Sequence, residues 1–376
     1  MKKRDVIVVI GFNRPKSIDR ILNRLSECHF SKPIDLIVSI DFSEKQSDIA
    51  CILENFKWNY GDFEFILHQE NLGLRNHIIS CGDLVEGYEG IIMFEDDIFP
   101  SEYFYNFITE VKKKLGHHSK IGGISLYTPQ INEMVELPFI PLKADGDCFL
   151  LQSASSWGQY WTQEMWISFK KWYLKNQTLL KENDLPIKIY SWPESSWKKY
   201  FMKYLVVSDK YFVYPYDSLT TNFSDIGQHV TISSPLYQVP LNYKKEQFDI
   251  KSFDQIVKYD SFYELISVDY EKYCFDLYGS KTNFEEKDFL ITKQILNYRI
   301  VDTFNLALKP HEMNVILKIP GEQIFLYDLK NKSAKKNTYK LKRNPNYYTN
   351  TNYKDSLVIG FTGIFERLKA FLKNKK

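Results

Sequence analysis

The sequence lacks three features that would place it in a specialised class of protein. No apolar run approaches the roughly 20 residues that a membrane-spanning helix needs. The five cysteines are an odd number and include no C-x-x-C pair, so neither a disulfide framework nor a structural zinc site is indicated. The apolar run Val6–Phe12 is followed by no small-residue cleavage site, which favours a buried strand over a signal peptide. We therefore expect a protein of a reducing compartment, the cytoplasm.

Net charge is also scarce, but it is unevenly distributed. The whole chain carries +2, whereas residues 330–376 contain 13 Lys or Arg and 2 Asp or Glu, so residues 1–329 carry a net −9. This pattern indicates an acidic body that performs chemistry and a basic tail that meets an anionic partner. The tail contains no recognised nucleic-acid module, so we expect no nucleic-acid partner.

The first hundred residues alternate between strand and helix patterns. Val6–Gly11 is a β-branched run typical of a strand buried on both faces. Further strands are predicted at 34–40, 63–67, 90–94 and 147–154. Helices are predicted at 15–25, 74–86, 101–115, 160–175, 196–206 and 286–300. The β-α-β-α-β order implies an α/β fold with a largely parallel, doubly wound sheet.

Three polar clusters follow strands of this sheet. They are Asn13-Arg14, Asp41 and the acidic triplet Glu95-Asp96-Asp97. Because the carboxyl ends of parallel strands lie at one edge of the sheet, the topology brings these clusters together. Ligands of doubly wound sheets bind at this edge.

The acidic triplet is the strongest candidate for chemistry. Neighbouring carboxylates repel one another, and a divalent cation removes that cost. Oxygen ligands suit Mg²⁺ or Mn²⁺, which can also grip a diphosphate and neutralise the charge that develops on it. The alternative is a solvated turn that caps the next helix. The position after a buried strand, beside Asp41 and Asn13-Arg14, favours the metal site.

Several segments carry a resemblance to a known family. GFNRPKSIDRIL (11–22), NLGLRNHI (71–78) and GIIMFEDDIFPSEYFYNF (90–107) resemble glycosyltransferases with the nucleotide-diphospho-sugar transferase (GT-A) fold. The chain is similar to bacterial family-two-like sugar transferases and to the N-acetylglucosaminyltransferase I group. SSWGQYWTQEMW (155–166), WPESSW (192–197) and YPYDSLTTNFSDIGQH (214–229) extend the likeness over residues 5–235.

The resemblance implies an organisation and a set of site residues. We expect a GT-A domain with a mixed sheet at 1–245, an α/β or helical appendage at 246–330, and a basic linker and amphipathic helix at 331–376. The implied donor contacts are Phe12, Asn13, Arg14, Asp41, Asn71, Arg75, Glu95 and Asp96. Asp97 and His229 would bind Mn²⁺ or Mg²⁺. Trp157 and Gly158 would shape the acceptor pocket, and Glu194 would be the catalytic base.

The expected activity is transfer of a sugar from a nucleotide-diphosphate donor, preferably a UDP-sugar, to a glycan or lipid-linked acceptor. The implied mechanism is a single displacement with inversion, and the implied context is bacterial surface polysaccharide synthesis. A sugar-nucleotidyltransferase is an alternative, but it needs a Gly-rich phosphate loop where this chain has Gly11-Phe12-Asn13-Arg14-Pro15. A non-catalytic carbohydrate-binding protein is a second alternative.

The last predicted helix, at 357–373, is basic and amphipathic. It could dock on the body of the protein or attach to an anionic membrane surface. Membrane attachment suits a lipid-linked acceptor and would place the protein at the inner face of the plasma membrane.

Overall fold

A computed structural model describes most of the chain. The described residues are 4–133, 137–179, 185–223, 225, 237–263, 265–267, 289–292, 296–305, 307–308 and 312–333. The chain divides into two compact units, Met1–Asp269 with Ser280–Phe284, and Tyr270–Gly279 with Glu285–Lys376. Among the described residues, no helix is both long and apolar enough to cross a membrane.

The first unit alternates strands and helices along its first half. Its strands are β1 (Asp5–Gly11), β2 (Asp35–Ile40), β3 (Phe63–Leu67), β4 (Gly90–Glu95), β5 (Ile98–Pro100), β6 (Ile121–Ser125), β7 (Ile131–Asn132), β8 (Leu137–Pro138), β9 (Cys148–Leu151), β10 (Gln159–Thr162), β11 (Tyr211–Pro215), β12 (Thr220–Asn222), β13 (Lys258–Tyr259) and β14 (Leu265–Ser267). Its helices are α1 (Pro15–Ser26), α2 (Gln46–Asn55), α3 (Gly73–Asp83), α4 (Phe104–Leu115), α5 (Gln163–Tyr173), α6 (Ile187–Tyr190) and α7 (Trp197–Val207).

Ten of these strands form one mixed sheet, in the order β14-β13-β9-β11-β6-β10-β4-β1-β2-β3. The four strands β3, β2, β1 and β4 run parallel to one another, whereas β10 runs antiparallel between β4 and β6. The predicted fold class, an α/β protein with a large mixed sheet, is confirmed. The sheet also continues past residue 245, where we predicted the first domain to end, because β13 pairs with β9.

Hydrophobic patterning explains the parallel part of the sheet. Every residue of β1 and β2 is buried, as expected for strands covered on both faces. Helix α1 begins at Pro15 and buries Ile18, Ile21, Leu22 and Leu25, the apolar stripe that the sequence predicts.

A buried carboxylate ties the antiparallel strand to the parallel part. Tyr160 of β10 donates a hydrogen bond to Asp5 Oδ1 (3.1 Å), and Tyr105 of α4 donates to Asp5 Oδ2 (2.9 Å). Lys112 of α4 neutralises the carboxylate from 2.8 Å. Gly90 lies under the Tyr160 ring, where a Cβ atom would come within 2.0 Å of the hydroxyl oxygen. Strand β10 is therefore fixed directly beside β4.

Two predicted helices differ from the structure. Residues 160–175 were predicted as one helix, but residues up to Thr162 form β10 and the helix begins at Gln163. Thr162 caps that helix by accepting a hydrogen bond from the Met165 amide. The predicted helix at 286–300 is wrong where residues are described, because Phe289–Thr292 is a strand and a second strand begins at Tyr298.

The second unit contains a three-stranded antiparallel sheet. Its strands are β15 (Phe289–Thr292), β16 (Tyr298–Phe304) and β17 (Ile324–Lys332), with β17 in the middle. A short helix, α8 (Glu312–Ile316), lies between β16 and β17 in the chain. The predicted amphipathic helix at 357–373 and most of the predicted linker lie outside the described residues.

Candidate active site

The carboxyl ends of β1, β2 and β4 meet at one edge of the large sheet. Ile10 pairs with Glu95, and Gly11 pairs with Ile40, so the segments that follow these strands lie side by side. They surround a cavity of about 200 Å³ that is partly open to solvent. The predicted site residues that line it are Phe12, Asn13, Arg14, Asp41, Asn71, Glu95, Asp96 and Asp97. We call this space the donor cavity, after the donor contacts that the family resemblance predicts for these residues.

Arg14 lies among the carboxylates of the acidic triplet. Its Nε donates to Asp96 Oδ2 (3.2 Å), and its Nη2 pairs with Asp96 Oδ1. Its Nη1 lies 3.5 Å from Asp97 Oδ2 and donates to the backbone oxygen of Asp225 (3.4 Å). The guanidinium therefore acts as a counter-ion for two carboxylates and links them to the Asp225 segment.

The triplet nevertheless carries more negative charge than its surroundings offset. Burial, helped by the charges of Asp97 and Asp96, raises the pKa of Glu95 to about 8. Burial also raises the pKa of Asp96 to about 6, although Arg14 opposes that rise. The pKa of Asp97 is raised as well, again chiefly by burial. Ionised carboxylates at this edge are thus destabilised, and a bound cation would relieve them.

One oxygen of the triplet is suited to hold such a cation. Asp97 Oδ1 is buried and finds no hydrogen-bond partner in the part of the chain that the structure describes, whereas Asp97 Oδ2 faces Arg14. Within the described residues, no group of three or more His, Cys, Asp or Glu side chains forms a complete metal cage. Mg²⁺ and Mn²⁺ commonly take one or two carboxylates together with phosphate oxygens and water. The carboxylate oxygens of the acidic triplet therefore fit a cation that substrate phosphates help to bind.

Asp41 holds the loop that leads into α3. Its Oδ1 accepts from the amides of Phe42 (2.9 Å) and Leu72 (2.8 Å), and its Oδ2 accepts from the amide of Gly73 (3.0 Å). Asn71 donates to the Phe42 carbonyl across the same loop (3.2 Å). These bonds fix the mouth of the donor cavity, and contact of Asp41 with a nucleotide stays a prediction.

His77 lines the donor cavity and was not predicted as a site residue. Its Nε2 lies 2.8 Å from the hydroxyl of Ser39, which also lies 3.1 Å from Nε2 of His68. Burial lowers the pKa of His77 to about 4, with help from His68 and against the attraction of Asp41. The imidazole is therefore neutral near pH 7.

This burial predicts a loss of stability in mild acid. In the unfolded chain His77 has a pKa near 6.5, whereas in the folded protein its pKa is about 4. Between these two pH values only the unfolded chain binds the proton, so the free energy of unfolding falls as the pH is lowered from about 6.5 to about 4. We expect the free energy of unfolding of the wild type, relative to that of His77→Gln, to decrease by about 2 kcal/mol when the pH is lowered from 7 to 5. Urea unfolding followed by tryptophan fluorescence measures this, because all seven tryptophans lie in the first unit. Parallel pH profiles of the two proteins would contradict it.

Arg75 and Glu194 lie in one hydrogen-bonded chain. Arg75 donates to the Tyr200 hydroxyl (2.8 Å), and that hydroxyl contacts Glu194 Oε2. Lys199 pairs with Glu194 Oε1, and the Glu194 side chain is 67% exposed. The hydrogen bonds from Lys199 and Tyr200 lower the pKa of Glu194. A carboxylate held in this way is a weaker proton acceptor, and Glu194 does not line the donor cavity.

Trp157 and Gly158 precede β10 and therefore emerge at the edge where β4 ends. Gly158 has a φ of +92°, and a Cβ there would lie 2.9 Å from Thr220 and 3.1 Å from Phe94, so only glycine fits. Trp157 lines a second cavity of about 280 Å³, largely open to solvent. Its other lining residues are Glu133, Ser156, Trp192, Ser196, Lys198 and Tyr237. We call this space the aromatic cavity.

Comparisons with known proteins give similarity to solved structures only. No family model and no curated protein matches the chain. It is similar to S. aureus TarS 1–349 with UDP-GlcNAc (13% identity, 60% of each chain, TM-score 0.40). It is also similar to TarS 1–349 with UDP (16% identity, 58% of this chain and 59% of that one, TM-score 0.39). A third similar structure is mannosyltransferase PcManGT from Pyrobaculum calidifontis with GDP-Man and Mn²⁺ (10% identity, 46% of this chain and 47% of that one, TM-score 0.32).

The chain spans about 60% of the length of the TarS 1–349 structures. At such low identities and scores, the function has to be inferred from the residues of the site.

Two residues complete the comparison of the predicted and the observed site: His229 was predicted but is not described, and Asp225 is described but was not predicted. His229, the predicted second metal ligand, is outside the described residues. Asp225 lies against Arg14 and accepts from Ser17 (2.8 Å), a contact that no local sequence pattern indicates. Its position follows from the pairing of β12 with β5, which brings the segment after Asn222 beside the triplet.

Proposed function

We propose that this protein is a metal-dependent glycosyltransferase. It moves a sugar from a nucleotide-diphosphate donor, preferably a UDP-sugar, to a glycan or lipid-linked acceptor, with inversion. Its place would be the cytoplasm, where the basic C-terminal segment could hold it at an anionic membrane during surface polysaccharide synthesis.

The observation that carries the proposal is the buried Oδ1 of Asp97 at the wall of the donor cavity, which has no hydrogen-bond partner among the described residues. A buried acceptor without a partner is rare, and it calls for an explanation such as an ion. The raised pKa values of Glu95 and Asp96 support the same explanation, because burial has left their negative charge poorly compensated. The aromatic cavity lies beside this edge and offers faces for a sugar ring.

The residues of the site would divide the work as follows. Phe12 and Asn13 contact the nucleotide, and Asp41 keeps the mouth of the donor cavity in shape. Asp97 would hold Mn²⁺ or Mg²⁺, whose chemistry is to neutralise the charge that develops on the departing nucleotide diphosphate. Arg14 has donors that can move from Asp97 to a phosphate oxygen, since guanidinium binds both groups bidentately.

A thermal-shift screen tests the proposal. We expect UDP or another nucleoside diphosphate to raise the melting temperature of the wild type when Mn²⁺ is present, and much less in EDTA. UDP, GDP, UDP-GlcNAc and UDP-glucose would be compared at one concentration, with AMP as the control. Absence of a shift with every nucleoside diphosphate, with Mn²⁺ present, would contradict the proposed function.

A non-catalytic carbohydrate-binding protein is the second candidate. It is favoured by Arg14, which already pairs with two carboxylates of the triplet. The two candidates differ in turnover, because a binding protein with an unused donor cavity releases no nucleoside diphosphate from a nucleotide-sugar.

A further inference from the structure

We propose that the aromatic cavity is the subsite for a neutral acceptor sugar, and that Glu133 within it takes the proton of the attacking hydroxyl. This inference rests on the proposed glycosyltransferase function and assigns its catalytic base.

The walls of the aromatic cavity suit a sugar ring. Trp157 is stacked on Tyr237 with ring centroids 5.1 Å apart, and Tyr127 packs against it at 4.6 Å, so its indole is held in place. Lys198 Nζ lies 5.4 Å from the Trp157 ring and 5.5 Å from the ring of Trp192, which lines the same cavity. The cavity volume, about 280 Å³, lies at the small end of the usual range of small-molecule sites, roughly 300–1,000 Å³, as expected for a single sugar ring.

Charge pairing inside the cavity favours an uncharged ligand. Lys198 Nζ lies 2.9 Å from both carboxylate oxygens of Glu133, and the two side chains are only 10% and 15% exposed. An anionic ligand at Lys198 would have to separate this enclosed pair and leave the Glu133 charge uncompensated, which is costly. Sugar hydroxyls can instead donate to Glu133 without breaking it, because each carboxylate oxygen accepts more than one hydrogen bond.

The aromatic cavity lies next to the donor cavity. Trp157 and Gly158 immediately precede β10, which runs antiparallel to β4 with Gln159 opposite Met93. Gly158 packs against Phe94, the residue before Glu95. A sugar bound against Trp157 would therefore present its hydroxyls toward the end of β4, where the acidic triplet begins.

Glu133 is better placed than Glu194 to act as the base. Both carboxylates are hydrogen-bonded through both oxygens. Glu133, however, lines the aromatic cavity and is largely shielded from water, whereas Glu194 lines neither cavity and is 67% exposed. A general base must lie within hydrogen-bond reach of the hydroxyl, so position decides between them.

The step balances without a further reactant. The acceptor oxygen forms a bond to the anomeric carbon, and the bond from that carbon to the diphosphate oxygen breaks. The bonding electron pair leaves with the nucleoside diphosphate. The proton of the acceptor hydroxyl passes to Glu133, which later releases it to water.

The test compares Glu133→Gln, Glu194→Gln, Trp192→Ala and, as a surface control, Glu54→Gln. Release of UDP from UDP-sugars is measured with Mn²⁺ and a panel of neutral p-nitrophenyl glycosides, and UDP binding is measured by thermal shift. We expect Glu133→Gln to bind UDP like the wild type but to lose at least about 100-fold in kcat. Its loss should exceed that of Glu194→Gln by at least tenfold. Trp192→Ala should raise the acceptor KM at least tenfold, and Glu54→Gln should match the wild type.

Three outcomes would overturn the inference. If Glu133→Gln keeps its kcat within threefold while the wild type binds and turns over donor, the base lies elsewhere and the proposed function stands. If glycosides that carry phosphate are better acceptors than neutral ones, the neutral subsite is wrong. If the wild type neither binds UDP nor releases it, the proposed function fails and the role of Glu133 fails with it. Should Glu133→Gln not fold, Glu133→Gln combined with Lys198→Met removes the unpaired charge and must show the same loss.

Discussion

Replacing Arg14 with glutamine is expected to destabilise the metal-free protein by about 3 kcal/mol at pH 8. The guanidinium pairs with Asp96 and faces Asp97, and removal of one partner from a buried charge pair typically costs 3–5 kcal/mol. The loss of stability should be smaller at pH 6. Because the pKa values of Glu95 and Asp96 are raised, protonation removes part of the negative charge of the triplet at this pH. Urea unfolding with EDTA at both pH values measures the effect.

Manganese should restore most of the stability lost in Arg14→Gln. A cation at the triplet would replace the missing positive charge, so Mn²⁺ should stabilise this variant more than it stabilises the wild type. Arg20→Gln is the matched control, because Arg20 pairs with Asp225 at a partly exposed site and does not contact the triplet. Equal losses in Arg14→Gln and Arg20→Gln, or equal stabilisation of the wild type and Arg14→Gln by Mn²⁺, would argue against this account of Arg14.

Asp97→Asn is expected to have opposite effects on stability and on function. Burial raises the pKa of Asp97, so the ionised form is unfavourable in the folded protein, and a neutral amide should stabilise the metal-free protein slightly. The same change removes the buried anionic oxygen that would hold the cation. We expect the Mn²⁺-dependent thermal shift with UDP to disappear and turnover to fall at least about 100-fold.

Asp48→Asn is the surface control for Asp97→Asn, because Asp48 is 60% exposed on α2. It should keep both the thermal shift and the turnover. A wild-type UDP shift that is the same in EDTA and in Mn²⁺, and that survives in Asp97→Asn, would show that no cation acts at this carboxylate.

The sequence predicted the parallel part of the sheet well because its signals are local. Buried β-branched runs identified β1 and β2, and the apolar stripe of α1 matched its buried face. The prediction failed where the secondary structure changes within a few residues. Residues 286–300 contain apolar residues at helical spacing, but Phe289–Thr292 and the segment from Tyr298 satisfy their backbone groups by pairing with β17. Such tertiary pairing overrides local propensity.

The candidate site was predictable at the level of the sheet edge and not at the level of side-chain pairs. Strand order alone brings Asn13, Asp41 and Glu95 to one cavity. The pairing of Arg14 with Asp96, 82 residues apart, depends on rotamers and on competing carboxylates that no spacing rule encodes. The Glu133–Lys198 pair is equally remote, and Glu133 carries no motif that would single it out.

The strand order also affects how the chain can assemble during its synthesis. The adjacent parallel strands β3, β2, β1 and β4 all come from residues 5–95. Their pairing can therefore begin on the ribosome before β10 has been translated. The aromatic cavity instead combines residues between 133 and 237, whose closure must wait for β10 to add antiparallel beside β4. The walls of the donor cavity at the ends of β1, β2 and β4 can thus form first, and Asp225 and the aromatic cavity are added to them later.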